Sequence, residues 1–251
     1  MTTENFNEDI FSSEMKTAGK VNFNTTAKND YPTNEAFKTL RTNLLFCGTG
    51  IKTVLVTSSQ ENEGKSTIST ELSKSLAEVN KKTLLIDADM RKSVILRHNL
   101  KSQNIMGLSE LLSGQATINQ VIYNTQEPYF DVIFSGHFPP NPVELLSSET
   151  FGKMLEEFKK IYDYVIIDSP PLGLVIDAAM ISANCDGAVL VISPDRVKIQ
   201  EALKVKEQIL KSGCKILGAI LNETDPKHRD RTRQYKKNYY YASESNTNFR
   251  K

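Results

Sequence analysis

The 251-residue chain has few cysteines, no long apolar run and almost no net charge. Its three cysteines are far apart and form no CxxC pair, which argues against a disulfide framework or zinc ribbon and favours a reducing cytosol. No uncharged apolar stretch approaches the roughly 20 residues that span a bilayer. The acidic N-terminus does not resemble a secretory signal. A formal net charge of +1 gives no reason to expect a nucleic-acid partner.

Histidine is also scarce, and its positions form no metal-binding pattern. His98, His137 and His228 are scattered along the chain, so we expect surface or loop positions for them. With a metalloenzyme, a secreted scaffold and a nucleic-acid binder disfavoured, we expect a cytoplasmic globular protein.

Hydrophobic patterning divides the chain into three regions. Residues 1–32 are polar and lack a sustained period, which predicts a mobile N-terminal arm. In residues 33–224, short β-branched runs alternate with amphipathic segments, which predicts an α/β fold with a mostly parallel sheet and helices on both faces. Residues 225–251 lose this pattern and are rich in lysine, arginine and tyrosine, which predicts a flexible basic tail.

Within the middle region the elements are predicted from apolar runs and helical periodicity. The expected strands are residues 53–57, 83–87, 130–134, 164–168, 187–193 and 215–222. The expected helices are a first one beginning at 32–35, then 66–79, 108–112, 151–161 and 197–211.

A phosphate-binding loop is predicted at residues 59–67, between a strand and a helix. The segment matches G-x-x-x-x-G-K-[ST] except that Ser59 replaces the first glycine, and Asn62, which tolerates positive φ, stands where glycine is common. In such a loop backbone N–H groups surround phosphate oxygens, Lys65 reaches the β- and γ-phosphates, and Ser66 binds Mg²⁺. The predicted nucleotide contacts are Glu63, Gly64, Lys65, Ser66 and Thr67.

Aspartates end two of the predicted strands. Asp87 and Asp89 follow one strand, and Asp168 ends another. Carboxyl ends of parallel strands are where α/β sheets bind ligands. Carboxylates beside a phosphate loop can hold Mg²⁺ and leave one group free as a base, whereas the alternative for each is a cap of the following turn.

Five spaced motifs together resemble the bacterial tyrosine kinases (BY-kinases) of capsule and exopolysaccharide synthesis. They are SSQENEGKST, LLIDADMRKS, PPNPVELLSS, VIIDSPPLGLVIDA and KILGAILN. The resemblance implies a P-loop NTPase fold unrelated to eukaryotic protein kinases, with ATP and Mg²⁺ as cofactors. It further implies autophosphorylation of a C-terminal tyrosine cluster, here Tyr235, Tyr239, Tyr240 and Tyr241.

The same resemblance implies partners and a location. Relatives assemble into a ring-shaped homo-oligomer. They work beside a membrane-embedded polysaccharide chain-length regulator that activates them, and a cognate tyrosine phosphatase reverses their phosphorylation. This places the kinase in the cytoplasm, peripheral at the inner face of the membrane. The ring motif E-x-x-R-x-x-R reads Glu35, Lys38 and Arg41 here, and Lys38 keeps the charge of the usual arginine but not its bidentate geometry.

Roles for the charged groups follow from phosphoryl-transfer chemistry. Asp87 is the expected base because it lies at a strand terminus facing the phosphates, although Asp87 and Asp89 are both suited to contact metal-bound water. Asp89 and Asp168 are expected to hold or orient Mg²⁺ with Ser66. Lys65 neutralises charge on the leaving and transferred phosphates.

Two other functions remain open from the sequence. A MinD/ParA-like ATPase shares the fold, but Gln60 occupies the position of that family's signature lysine. A nucleotide-binding scaffold without catalysis is the other alternative.

Asn222, at the end of the last predicted strand, resembles a residue that contacts adenine in related folds. The alternative is that it is a plain turn residue.

Overall fold

A single eight-stranded sheet organises residues 17–23, 30–99, 105–194 and 196–222, which the computed structural model describes. The strand order is β1-β4-β5-β3-β6-β2-β7-β8, and every pairing is parallel except that of β4 with β5. The strands are β1 (Gly19–Lys20), β2 (Thr53–Ser58), β3 (Thr83–Asp87), β4 (Ile122–Asn124), β5 (Phe130–Ile133), β6 (Tyr164–Asp168), β7 (Gly187–Ile192) and β8 (Ile216–Leu221). The predicted α/β fold with a mostly parallel sheet is confirmed.

Helices lie on both faces of the sheet. They are α1 (Tyr31–Leu45), α2 (Lys65–Ala77), α3 (Val94–Asn99), α4 (Leu108–Leu112), α5 (Pro142–Leu146), α6 (Glu149–Ile161), α7 (Asp177–Ser182) and α8 (Ile199–Lys211). Among the described residues, none of these helices has the length and apolar character that crossing a bilayer requires.

Two apolar cores cover the two faces of the sheet, as alternation along buried strands requires. In β2, Leu55 belongs to one core, whereas Val54 and Val56 belong to the other, together with Leu72 and Leu76 of α2. Because the central strands are buried on both faces, they read as continuous apolar runs, and this is why their positions are predictable.

Helix α6 shows how an amphipathic segment joins this architecture. The Ser148 hydroxyl caps its N-terminus by accepting a hydrogen bond from the backbone N–H of Phe151 at 3.2 Å. Its apolar residues recur at i, i+3, i+4 and i+7, and each contributes about 1.5–3 kcal/mol through burial. All four are fully buried: Phe151, Met154, Leu155 and Phe158.

The N-terminal region differs from the expected mobile arm. Residues 17–23 add the edge strand β1 to the sheet, and both backbone polar groups of Phe23 bond the side-chain amide of Gln126, at 2.6 Å each. The Phe23 ring is 3% exposed and lies 5.4 Å from that of Phe130. The mobile-arm prediction is therefore wrong for residues 17–23, because this burial offsets the entropy lost on ordering the segment.

The start of helix α1 and several short elements also differ from the prediction. Helix α1 begins at Tyr31, where the Asp30 carboxylate accepts a hydrogen bond from the backbone N–H of Thr33 at 2.9 Å. Helices α3, α5 and α7 and strand β4 were not predicted, because three to six residues show too little of a period to be recognised. The tail from residue 225 onward lies outside the described residues.

Candidate active site

The phosphate loop connects β2 to α2, as predicted. Asn62 has φ of 61° and Gly64 has φ of 87°, so two left-handed residues turn the chain into the helix. A Cβ on Gly64 would lie 2.1 Å from Asn222 Nδ2, so the Asn222 side chain would have to move, and the positive φ itself favours glycine. The end of the loop and the start of α2 border an open cavity of about 390 Å³, which Gly64, Lys65, Ser66 and Thr67 help to line. A helix N-terminus at such a cavity is suited to bind phosphate.

The buried side chain of Glu63 stabilises this loop. Its side chain is fully buried, and its two carboxylate oxygens accept hydrogen bonds from the backbone N–H groups of Gln60 (2.5 Å) and Ser193 (3.0 Å). Asn222 Nδ2 donates to the Glu63 carbonyl at 2.9 Å. The carboxylate of Glu63 is thus occupied in shaping the loop, and only its backbone N–H is left for a nucleotide contact.

Two acidic strand ends meet beside the loop. Asp87 and Asp168 are directly paired in the register of β3 with β6, which places their side chains at one edge of the sheet. The Ser93 hydroxyl donates a hydrogen bond to Asp87 Oδ2, and the Ser69 hydroxyl donates to Asp168 Oδ1 at 3.1 Å. Lys65 Nζ lies 3.6 Å from Asp89 Oδ2. The structure therefore brings together the lysine and the three aspartates that the sequence singled out.

Burial makes this cluster electrostatically costly. It raises the pKa of Asp87 to about 8, mainly through desolvation and then through the nearby charge of Asp168. Desolvation also raises the pKa of Asp168, against the opposing charge of Lys65 and a hydrogen bond from Ser66. Such a site favours a cation that restores the charge balance.

The residues present fit a magnesium ion. Asp168 Oδ2 is buried and has no hydrogen-bond partner among the described residues, and the nearby hydroxyl of Ser66 lowers the pKa of the same carboxyl. Mg²⁺ prefers such oxygen ligands and keeps several waters or phosphate oxygens in its shell. The described residues contain no cluster of three or more His, Cys, Asp or Glu arranged to hold a metal without such added ligands.

The residues of the predicted ring motif lie on α1, apart from this site. Glu35 and Lys38 pair with each other at 2.8 Å on the exposed surface. Arg41 turns inward, where its guanidinium donates to the backbone carbonyl of Ser75 in α2 at 2.6 Å and approaches Glu78 at 3.5 Å. Within one chain, Arg41 therefore fixes α1 on α2. The tyrosines Tyr235, Tyr239, Tyr240 and Tyr241 lie outside the described residues.

One structural contact of the site was not anticipated from the sequence. Arg91 forms a two-point ion pair with Asp177, at 2.8 and 3.1 Å, although 86 residues separate them. Asp177 is 1% exposed and begins α7, so this pair connects the loop after β3 to the segment after β6. Both residues stand inside quoted motifs, but a sequence motif does not reveal which charges pair.

Comparison with known proteins identifies the family. Residues 51–212 match a family model described as an AAA domain. The chain is 48% identical over 193 residues to the tyrosine-protein kinase CpsD of Streptococcus agalactiae, covering 77% of this chain and 84% of that protein. The chain belongs to the bacterial tyrosine kinases.

Solved structures of this family have the same architecture. The kinase domain of the Escherichia coli tyrosine kinase ETK superimposes with a TM-score of 0.72 at 32% identity, covering 83% of this chain and 90% of that one. The chimerical protein CapA2B2 superimposes with a TM-score of 0.74 at 32% identity, covering 86% of this chain and 98% of that one. The chain is therefore a protein-tyrosine kinase with a P-loop NTPase fold.

The cell-division ATPase MinD of Pyrococcus furiosus is a more distant structural neighbour. Its TM-score is 0.59 at 24% identity, over 69% of this chain and 74% of that one, which is a likeness of fold alone. At the position of the MinD-type signature lysine, Gln60 of this bacterial tyrosine kinase donates to Glu201 of α8 at 2.8 Å. Its side chain is thus used within its own chain.

Proposed function

We propose that this kinase transfers the γ-phosphoryl group of ATP to the tyrosines of its own C-terminal tail, and that it thereby regulates capsular or exopolysaccharide synthesis. The observation that carries the proposal is the meeting of Lys65, Asp87, Asp89 and Asp168 beside the phosphate loop. The tail supplies the acceptors, since residues 227–251 hold four of the nine tyrosines.

Phosphate binding rests on the start of α2. Backbone N–H groups of the loop and helix point toward the phosphates, and the helix dipole favours their negative charge. Lys65 is 7% exposed, so its ammonium acts where solvent screens it little. Ser66, Asp89 and Asp168 would hold Mg²⁺, which would neutralise charge on the phosphates. At the other end of ATP, Asn222 is suited to contact adenine.

Proton removal from the acceptor is the second task. A phenol has a pKa of about 10 and is protonated at neutral pH, so a base must accept its proton as the new bond to phosphorus forms. Asp87 is the proposed base. Its position supports this role, because it ends β3 directly opposite Asp168, in the aspartate cluster beside the phosphate loop.

The charge of the C-terminal tail would control assembly of the ring and release of the tail from it. Residues 227–251 carry eight basic and two acidic side chains. Each phosphotyrosine adds about −1.5 to −2, so four would convert this basic tail to a neutral or slightly acidic one. The unmodified tail would favour docking beside the aspartates of a neighbouring chain in a ring formed through Glu35, Lys38 and Arg41, and the phosphorylated tail would be repelled from it.

Regulation would involve other proteins. The family resemblance favours a membrane-embedded chain-length regulator as activator, a cognate phosphatase as the reverse enzyme, and a position at the inner face of the membrane. The match to the chimerical protein CapA2B2 over 86% of this chain is consistent with a kinase of this type.

The test compares wild type, Lys65→Met and a variant with all four tail tyrosines changed to phenylalanine. Each protein is incubated with Mg-ATP and probed for phosphotyrosine. We expect Lys65→Met to abolish the signal, and the tyrosine variant to lose most of it while still binding ATP. ATP hydrolysis by wild type without phosphotyrosine would favour the MinD-like alternative instead.

A further inference from the structure

The cavity at the active site extends to one side of the phosphate loop. Of the described residues, those that line it come from the loop itself and from the segments after β3 and β6, and none comes from after β7 or β8. In the strand order, β6 and β3 lie on one side of β2, and β7 and β8 on the other. Asn222 follows β8, so the cavity lies on the side of the loop away from the proposed adenine contact.

Beyond the phosphate loop the cavity is lined by charged and apolar side chains together. The polar ones come from the segment after β3: Asp89, Arg91, Lys92, Arg97 and His98. We call the side chains of Val94, Pro171, Leu174 and Val175, contributed by the start of α3 and the segment between β6 and α7, the apolar wall. Leu174 is 58% exposed and lines the cavity together with these charged groups. An exposed apolar side chain next to charged groups favours a ligand that is apolar along its length and polar at its tip.

The segment that carries this wall is held at both ends. A Cβ on Gly173 would lie 2.1 Å from the backbone carbonyl of Ser59, so the segment passes directly against the phosphate loop. At its other end, Asp177 is fixed by the two-point ion pair with Arg91. Leu174 is therefore exposed and yet held in place, as expected of a preformed binding surface.

We propose that the apolar wall binds the phenol ring of the acceptor tyrosine and directs its hydroxyl toward the phosphate loop and the adjacent cluster of Asp87, Asp89 and Asp168. This inference rests on the proposed function and adds the residues that select the acceptor. The ring would lie against Leu174 and Val175, as aromatic side chains do on apolar surfaces. Serine and threonine carry their hydroxyl close to the backbone and have no ring to fill this space, so the wall would discriminate against them.

The occupant is a tyrosine of residues 235–241. The described chain ends at Asn222, which contacts the phosphate loop, and Tyr235 follows 13 residues later. At full extension this connection spans up to about 45 Å. It is long enough for the tail to reach the cavity of its own chain or of a neighbouring one.

Binding of tail peptides tests the proposal without requiring turnover. The full chain is prepared with its four tail tyrosines changed to alanine, so that its own tail does not compete. In the presence of Mg²⁺ and a non-hydrolysable ATP analogue, the Kd is measured for a peptide of residues 229–245 and for versions with phenylalanine or alanine at the four tyrosines. We expect the tyrosine and phenylalanine peptides to bind roughly tenfold more tightly than the alanine peptide.

Leu174→Ser and Ile176→Ser form the matched pair of variants. Ile176 is 56% exposed and lies in the same segment, but it does not line the cavity. Leu174→Ser should abolish the preference for aromatic peptides, Ile176→Ser should retain it, and both should bind the ATP analogue as the parent does. Equal binding of all three peptides by the parent, or the same peptide preference in both variants, would overturn the proposal. Aromatic-selective binding without phosphoryl transfer by wild type would instead contradict the proposed function.

Discussion

Replacing Asp87 with asparagine should stabilise the protein when neither metal nor nucleotide is bound. The carboxyl of Asp87 is fully buried beside Asp168, and burial raises its pKa from the ordinary 3.8 to about 8. An ionised Asp87 is thus costly in the folded state and harmless in the unfolded chain. An amide removes this cost and retains an acceptor for the hydroxyl of Ser93.

The magnitude follows from proton linkage. The folded state keeps a proton that the unfolded chain releases above pH 3.8, so the free energy of unfolding of wild type falls as the pH rises from about 4 to about 8. Each pH unit in this window corresponds to about 1.4 kcal/mol. At pH 7 the buried carboxyl of Asp87 lowers the free energy of unfolding by at most on the order of 4 kcal/mol. We therefore expect Asp87→Asn to be more stable than wild type by about 2–4 kcal/mol.

Urea unfolding at several pH values, with EDTA and without nucleotide, measures this difference. The advantage of Asp87→Asn should be small near pH 4 and should grow toward pH 8. Asp163→Asn is the control, since Asp163 is exposed and its carboxylate accepts a hydrogen bond from the backbone N–H of Lys82. A variant no more stable than wild type at pH 7, or an advantage independent of pH, would refute the account of a strained carboxyl cluster.

Four further substitutions test the fold around the site. Gly64→Ala should weaken ATP-analogue binding at least about tenfold in a titration, because the positive φ strains a residue with a Cβ and the Asn222 side chain would have to move; unchanged affinity would contradict this loop geometry. Arg41→Ala should cost about 1–2 kcal/mol in urea unfolding and Lys38→Ala clearly less, because only Arg41 anchors α1 on α2; equal losses in the two variants would contradict this. Phe23→Ala should cost about 3–4 kcal/mol in thermal unfolding, and a loss near zero would show that the edge strand is not stably attached.

The central part of the fold and site was predictable from the sequence. Strands such as β3 and β6 are short apolar runs whose composition alone indicates burial. The phosphate loop was recognisable because Gly64, Lys65 and Ser66 stand between a strand and a helix. That Asp87 and Asp168 would be near one another followed only from the rule that parallel strands end at a common edge.

Features that depend on long-range pairing were not predictable. Phe23 stands among polar residues, and its burial depends on a pocket formed by Phe130 and Phe134, more than 100 positions later. The ion pair of Arg91 with Asp177 joins two segments whose proximity is set by strand order. Residue type and spacing carry no information about such partners.

Phosphopeptide mapping of the protein isolated from its own cells tests the central claim most directly, because any activator is present there. Wild type and Lys65→Met, expressed at equal levels, are digested, and phosphate is located by mass spectrometry. The account predicts phosphotyrosine within residues 235–241 of wild type and none in that segment of Lys65→Met. An unmodified wild-type tail, or an equally phosphorylated tail in Lys65→Met, would contradict it.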